Sequence, residues 1–207
     1  MPNLKEIRTR ISSIRSTRQI TSAMKMVAAS KLHKSQQAIG MLRQYENNLQ
    51  RMLNHAAEYH RGDYSHPLLG GKREIKTVLV IPISSNKGLC GTHNVMLHKK
   101  TALHLRSLQE GNLETQLYPI GKKAIQFYAL QGRQIIGENT SLIESYKKQE
   151  VENFLSKLVS LYLNKEIDRI DVVYYRFRNA VIQNLCTESL LPLKLWENYP
   201  GDRKSVV

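Results

Sequence analysis

The first sixty residues carry one ladder of mostly apolar positions, spaced alternately three and four residues apart. Its members, which we call the seam, are Leu4, Ile7, Ile11, Ile14, Thr21, Ala28, Leu32, Ile39, Leu42, Leu49, Leu53 and Ala56. No proline interrupts the ladder. This spacing is typical of a coiled-coil helix, and it predicts one from about residue 3 to residue 59.

The predicted helix is too long for a globular domain to contain. It would be roughly 85 Å long at 1.5 Å per residue, whereas a compact globule made from the whole chain would be about 43 Å across. We therefore expect the helix to project and a partner to cover its seam. No second ladder of this length follows, so we expect the partner to lie outside this sequence. Polar side chains interrupt the seam at Arg18, Thr21 and Lys25, which favours looser contact there or control of register.

The pattern changes after residue 60, where glycines and a proline indicate a linker over residues 61–75. Short apolar runs then alternate with helical patterns, which predicts a Rossmann-like α/β domain over residues 76–195 with a mostly parallel sheet. The predicted strands are 77–83, 116–120, 134–136, 170–177 and 181–193, the last of them an edge strand, and the predicted helices are 95–108, 122–130 and 149–164. Residues 196–207 remain as a tail outside the fold.

The chain is basic, with 31 Lys and Arg against 17 acidic residues and a net charge of +14. It has no run of 18 apolar residues and no hydrophobic signal segment, so we expect a protein of the cytosol or of a membrane face reached from it. Two cysteines are too few for a disulfide framework. Residues 1–45 hold nine basic residues and one acid, Glu6, so the predicted helix is a positive rod that attracts any acidic surface.

Sequence motifs for cofactors and metals are missing or incomplete. The glycine loop Gly88-Leu89-Cys90-Gly91 lacks the spacing of a dinucleotide site, and no lysine after a glycine is followed by the Ser or Thr that a P-loop needs. The seven histidines are scattered without metal-ligand spacing. We therefore expect no cofactor and no metal.

Two alternative functions stay open from the residues alone. Cys90 lies near the carboxyl end of the first predicted strand, with His93 three residues on, so a cysteine-dependent α/β hydrolase is conceivable. No acidic residue near either one in sequence could orient the imidazole. The basic rod could instead bind nucleic acid, but residues 1–45 hold one aromatic side chain, Tyr45, for base stacking.

Three segments resemble the gamma subunit of the rotary ATP synthase. They are the opening run from Leu4 to Leu32, the loop Ser84 to Gly91, and Phe177-Arg178-Asn179 followed by Leu190-Leu191-Pro192-Leu193. The loop is similar to the family's S/T-D-R/K-G-L-C-G element. Asn86 stands where the family usually has Asp, which makes a salt-bridge role for that position doubtful.

The resemblance implies a non-catalytic rotor subunit of the central stalk. In that family the N-terminal helix pairs with a C-terminal helix inside a ring of alpha and beta subunits, and the α/β domain lies against the epsilon subunit and the c-subunit ring. The rotor couples proton flow to ATP synthesis and hydrolysis at the beta subunits. This implies a peripheral location on the cytoplasmic face of the bacterial inner membrane, reached through the complex only.

The resemblance also implies the contact residues. The expected shaft residues are Arg8, Ile11, Arg18, Thr21, Met24, Lys25, Val27, Ala28 and Lys31, and the family loop residues are Lys87, Gly88, Leu89, Cys90 and Gly91. Because the family's pairing helix is C-terminal and this sequence stops soon after Leu193, we expect the natural product to continue for about 80 residues and the tail to be an artefact.

Overall fold

A computed structural model describes residues 3–59, 67–69, 73–144 and 147–193, without the side chains of residues 54–59 and 144. The predicted tail over residues 196–207 and most of the predicted linker lie outside these residues. The chain divides into two compact units, one with residues 1–59 and one with residues 60–195. The predicted domain boundaries at residues 61, 76 and 196 stay predictions.

The first unit holds one long helix, α1 (Leu4–Tyr59), of 56 residues. The side chains of the seam from Leu4 to Leu53 are largely solvent-exposed; Ile14, for example, is 68% exposed. Thr9, Thr17 and Thr21 each donate a hydroxyl hydrogen bond to the carbonyl four residues earlier. These hydroxyls are therefore satisfied within the helix and make no demand on a partner.

The second unit is built on a four-stranded sheet. Its strands are β1 (Thr77–Pro82), β2 (Glu114–Leu117), β3 (Arg169–Phe177) and β4 (Gln183–Leu191), and its helices are α2 (His93–Glu110), α3 (Lys122–Ala129), α4 (Ser141–Glu144) and α5 (Lys148–Leu163), with a short 3-10 helix over Pro67–Leu69. The strand order is β2-β1-β3-β4. β1 pairs in parallel with β2 and β3, and β4 pairs antiparallel with β3. This confirms the α/β fold with a mostly parallel sheet.

Both faces of β1 are buried, which explains its unbroken apolar run. Val78 and Val80 pack into a cluster on one face, and Leu79 and Ile81 pack into a second cluster on the other. The first cluster draws its helical side chains from α2 and α3, and the second from α5. Parallel strands covered on both faces have this composition because neither side of the strand meets water.

Three strand predictions need comment. Residues 134–136 were predicted as a strand, and this was wrong: among the described residues they meet β2 through one bridge, Leu117 to Ile135. The chain turns at Gly132, where φ is 61°, just before this segment. β2 ends at Leu117 rather than at the predicted residue 120. β4 is an edge strand, as predicted.

None of the described helices combines the length and the apolar character that crossing a membrane would require.

A partly buried ion pair closes the start of β1. The Asp168 Oδ1 atom lies 2.6 Å from an Arg73 guanidinium nitrogen, and Oδ2 accepts hydrogen bonds from the backbone N–H groups of Lys76 and Thr77, both at 2.9 Å. Burial raises the pKa of Asp168, but these hydrogen bonds and the charge of Arg73 together outweigh it, so the pKa lies below its ordinary value. The ionised carboxylate therefore stabilises the fold.

Replacing Asp168 with Asn should lower the free energy of unfolding at pH 7 by about 1–3 kcal/mol, because it removes the charge that Arg73 and two backbone donors face. The wild-type advantage is present above the ordinary carboxyl pKa of about 3.9. It is lost as the pH falls through the lower pKa of the folded state. Urea unfolding of both chains between neutral and acid pH should show the difference shrinking in acid.

The control for this experiment is Glu74→Gln, since the Glu74 side chain is 80% exposed and pairs only with exposed Lys76 among the described residues. Such a surface pair contributes little to stability. A difference between wild type and Asp168→Asn that stays constant down to strongly acid pH would contradict the assignment.

Candidate functional site

The predicted contact residues fall in two places. The nine shaft residues lie on α1 and are all exposed. The five loop residues follow β1 in the second unit and are exposed as well. The roles of the shaft residues and of the loop residues stay predictions.

The charged shaft residues are uncompensated within the described part of the chain. Arg8, Arg18, Lys25 and Lys31 form no ion pair with any described residue. Met24 and Val27 lie among them and are 49% and 59% exposed. This stretch therefore offers apolar contact area inside a positive field, which suits an acidic and partly apolar surface.

The loop after β1 is fastened to the start of α3 by three consecutive hydrogen bonds. The backbone N–H groups of Lys122, Lys123 and Ala124 donate to Asn86 Oδ1 at 2.9 Å, to the Ser85 carbonyl at 3.2 Å and to Ser84 Oγ at 2.7 Å. The first N–H groups of a helix have no acceptor within the helix. Here the loop supplies those acceptors, so the start of α3 is capped by a remote segment.

Glycine is required where the loop and α3 meet. Gly121 has a φ of 96°, and a Cβ atom there would lie 2.3 Å from the Ser84 carbonyl oxygen. That contact is far shorter than real Cβ atoms show, and the backbone conformation itself disfavours side chains. The close approach of the two segments therefore depends on this position having no side chain.

Asn94, on the first turn of α2, ties the two ends of the loop together. Its Nδ2 atom donates to Ser85 Oγ at 2.9 Å and to Cys90 Sγ at 3.3 Å, while its Oδ1 atom accepts from the Ser85 N–H at 3.2 Å. The Cys90 sulfur is therefore held by an amide. Amide donors fix the position of a thiol but cannot remove its proton.

The imidazole ring of His93 contacts Tyr175 rather than the Cys90 thiol. Its ring stacks on Tyr175 with centroids 4.0 Å apart, and the Tyr175 hydroxyl donates to the His93 carbonyl at 3.1 Å. Burial is the main cause that raises the pKa of Tyr175, and the electrostatic interaction with Cys90 raises it further. Within the described ranges no hydrogen bond joins the Cys90 thiol to the His93 imidazole. The pair therefore lacks the nucleophile–base contact that the hydrolase interpretation needs.

The tip of the loop stands out into solvent. Leu89 is 93% exposed and has a φ of 61°, a conformation that is uncommon for residues other than glycine. The turn therefore presents one apolar side chain directly to solvent.

Several residues of this site were missed from the sequence. Asn94 reaches the loop from α2 and Thr140 from the segment before α4, while Tyr175 of β3 packs on His93 beside it. Thr140 and Tyr175 are far from the loop in sequence, so no local pattern could have found them, whereas Asn94 follows Cys90 by four residues and its spacing could have indicated the contact. Across the described residues, no group of three or more His, Cys, Asp or Glu side chains could hold a metal ion.

The chain is similar to proteins of one family. A sequence model of the family described as ATP synthase matches residues 3–206. The ATP synthase gamma chain of Glaesserella parasuis serovar 5 (strain SH0165) is 35% identical over 193 residues, which are 93% of this chain and 66% of the relative. That of Pasteurella multocida (strain Pm70) is 34% identical over 207 residues, or 100% and 71%. The chain thus spans about two thirds of the length of these relatives.

Two solved structures share the fold. The rotor of the Euglena gracilis mitochondrial ATP synthase superposes with a TM-score of 0.52 at 19% identity, over 89% of this chain and 61% of that chain. The central stalk and c-ring structure of the Tetrahymena thermophila mitochondrial ATP synthase gives a TM-score of 0.53 at 20% identity, over 84% and 72%.

Replacing Cys90 with Ala should change the free energy of unfolding by no more than about 0.5 kcal/mol, because the side chain is exposed. The contrasting control is Ser84→Ala, which removes a buried acceptor from the start of α3 and should cost about 1–3 kcal/mol. Urea unfolding measures both. Labelling of Cys90 by a mild electrophile at neutral pH at a rate far above that of a free cysteine in solution would instead indicate an activated nucleophile.

Proposed function

This chain belongs to the ATP synthase gamma chain family, and from that membership we propose that it is a rotor subunit of the central stalk. In this role it couples proton flow through the membrane sector to ATP synthesis and hydrolysis, and so regulates both ATPase activity and proton flow. The observation that carries the proposal is the family match, which extends over residues 3–206.

The geometry of α1 supports this role. A helix of 56 residues would be about 84 Å long, with an exposed seam and uncompensated basic side chains. A helix of that kind cannot bury its apolar positions by itself. It is suited to a shaft that one partner covers along the seam while other subunits surround it.

The proposed partners are the alpha and beta subunits around the shaft and the epsilon subunit and c-subunit ring at the α/β domain. The complex would hold the chain on the cytoplasmic face of the bacterial inner membrane as a peripheral subunit. Catalysis would belong to the beta subunits, and this chain would contribute charge and shape. As the shaft turns, its uneven surface would favour a different conformation of each beta subunit in turn.

The contact chemistry of the shaft follows from its side chains. Arg8, Arg18, Lys25 and Lys31 would face acidic surfaces, whose attraction is long-range and tolerates rotation. Ile11, Met24, Val27 and Ala28 would supply apolar contacts that are small enough to slide. Thr21 bonds to its own helix and would leave this part of the seam less adhesive.

Neither alternative gains support. The hydrolase interpretation lacks a thiol–imidazole hydrogen bond among the described residues. The nucleic-acid interpretation rests on charge alone, and charge attracts acidic protein surfaces equally well.

Purification of the complex from native membranes tests the proposal directly. The chain should travel with alpha and beta subunits through affinity and size-exclusion steps at moderate salt. Quantitative mass spectrometry should find one copy of it for three of each. Recovery of the chain without alpha and beta subunits, or with bound nucleic acid that resists high salt, would contradict the proposal.

Reversing Lys25 and Lys31 to Glu should reduce the proton pumping obtained for each ATP hydrolysed, because both side chains would then repel an acidic neighbour. The effect should be largest at low ionic strength, where charges are least screened. Proton pumping and ATP hydrolysis would be measured together in inverted membrane vesicles.

The matched control is the same reversal at Lys99 and Lys100, which are exposed lysines on a different helix, α2. Both double variants should fold, since exposed charges contribute little to stability. Equal pumping by the Lys25/Lys31 variant and the wild type at low salt would refute the assignment of these two residues.

A further inference from the structure

The side chain of Asn86 joins three separate segments. Its Nδ2 atom donates to the Thr140 carbonyl at 2.9 Å, and its Oδ1 atom accepts from the Lys122 N–H at 2.9 Å. These partners lie 54 and 36 residues further along the chain. The amide therefore connects the loop after β1 both to the first residue of α3 and to the segment that leads into α4.

Asn86 directly precedes the exposed turn Lys87–Gly91. Side chains hold this turn at both of its ends, and at its start the Ser85 hydroxyl also donates to the Lys87 carbonyl at 2.6 Å. Asn86 holds its start against α3, and Asn94 holds its end through Cys90 Sγ at 3.3 Å. Between these anchors Leu89 keeps a φ of 61° while 93% exposed. Such a conformation persists only where the surroundings hold it.

We propose that Asn86 is a positioning residue for the turn Lys87–Gly91, and that it acts by donating and accepting hydrogen bonds at the same time. The amide presents Leu89 to a neighbouring subunit by fixing the start of the turn. The part of the proposal that concerns a neighbouring subunit rests on the proposed rotor function. The part that concerns the turn itself does not.

The chemistry distinguishes an amide from a carboxylate at this position. A carboxylate at residue 86 could still accept from the Lys122 N–H, but it would place a negative oxygen against the Thr140 carbonyl, because an ionised carboxyl group has no donor. Two acceptors that face each other lose the hydrogen bond and repel. Asn86→Asp should therefore break one of the two connections, and Asn86→Leu, which is similar in size, should break both.

The first measurement follows the turn in the full 207-residue chain. A nitroxide on exposed Cys90, in a Cys186→Ser background, reports local motion through its electron paramagnetic resonance spectrum. We expect the label to gain mobility in Asn86→Asp and more in Asn86→Leu. The control is Asn184→Asp, the same change at an exposed position of β4, which should leave the spectrum as in the wild type.

The second measurement follows coupling in the assembled complex without the label. Pumping per ATP hydrolysed should fall about twofold or more in Asn86→Leu, since a contact displaced by about an ångström is weakened steeply. It should fall less in Asn86→Asp. The melting temperature of the chain serves as the structural readout. If coupling falls in proportion to the melting temperature across Asn86→Asp, Asn86→Leu and Ser84→Ala, the role of Asn86 is merely structural and the proposal is overturned.

The remaining outcomes separate the two proposals. Label mobility unchanged in both Asn86 variants would overturn the role of Asn86, whatever the coupling result. Raised mobility with full coupling would overturn the presentation of Leu89 to a neighbour. A chain that never assembles with alpha and beta subunits would defeat the rotor function, while the mobility series would still decide what Asn86 does to the turn.

Discussion

The start of α3 takes its hydrogen-bond acceptors from the loop after β1, and the position of the candidate site in the second unit depends on this pairing. Three consecutive N–H groups meet three consecutive residues, Ser84 to Asn86. The pairing is possible because β1 is buried on both faces, which fixes where the loop begins. It also needs Gly121, since any side chain there would strike the Ser84 carbonyl. A rigid strand, a helix start and one glycine therefore determine where the exposed turn lies.

The seam and the charge of α1 act over different distances. Apolar contacts work only where surfaces touch, whereas charges act over about 10 Å at moderate salt. Basic residues spread through the seam region would therefore keep an acidic partner, as proposed, near the helix without fixing it at one depth. Polar positions in the seam, such as Thr21, weaken local adhesion. This combination is what a helix needs if it must turn inside its surroundings.

Much of the fold could be predicted from the sequence because it is encoded in local periodicity. The seam spacing indicated α1, and the apolar run at residues 77–83 indicated a strand buried on both faces. The strand prediction for residues 134–136 was wrong because an apolar pattern does not reveal that only one of these residues pairs with a neighbouring strand. The four-residue helix α4 is too short for its period to register. For the site, the sequence indicated the loop but not its distant partners, since Thr140 reaches the loop, and Tyr175 reaches His93 beside it, through tertiary contacts.

The departure at Asn86 illustrates how a site can change chemistry while its fold persists. An aspartate, which the resemblance makes usual at this position, and an asparagine both offer an oxygen to the first N–H of α3. That acceptor is what the fold requires, because the N–H group has no other partner within its helix. Asparagine adds a donor, and Thr140 lies within reach of it at 2.9 Å. The substitution therefore keeps the cap of α3 and exchanges a negative charge for a second connection. Residue 86 has therefore lost the negative charge that is usual at this position but has kept the hydrogen-bond acceptor for the start of α3.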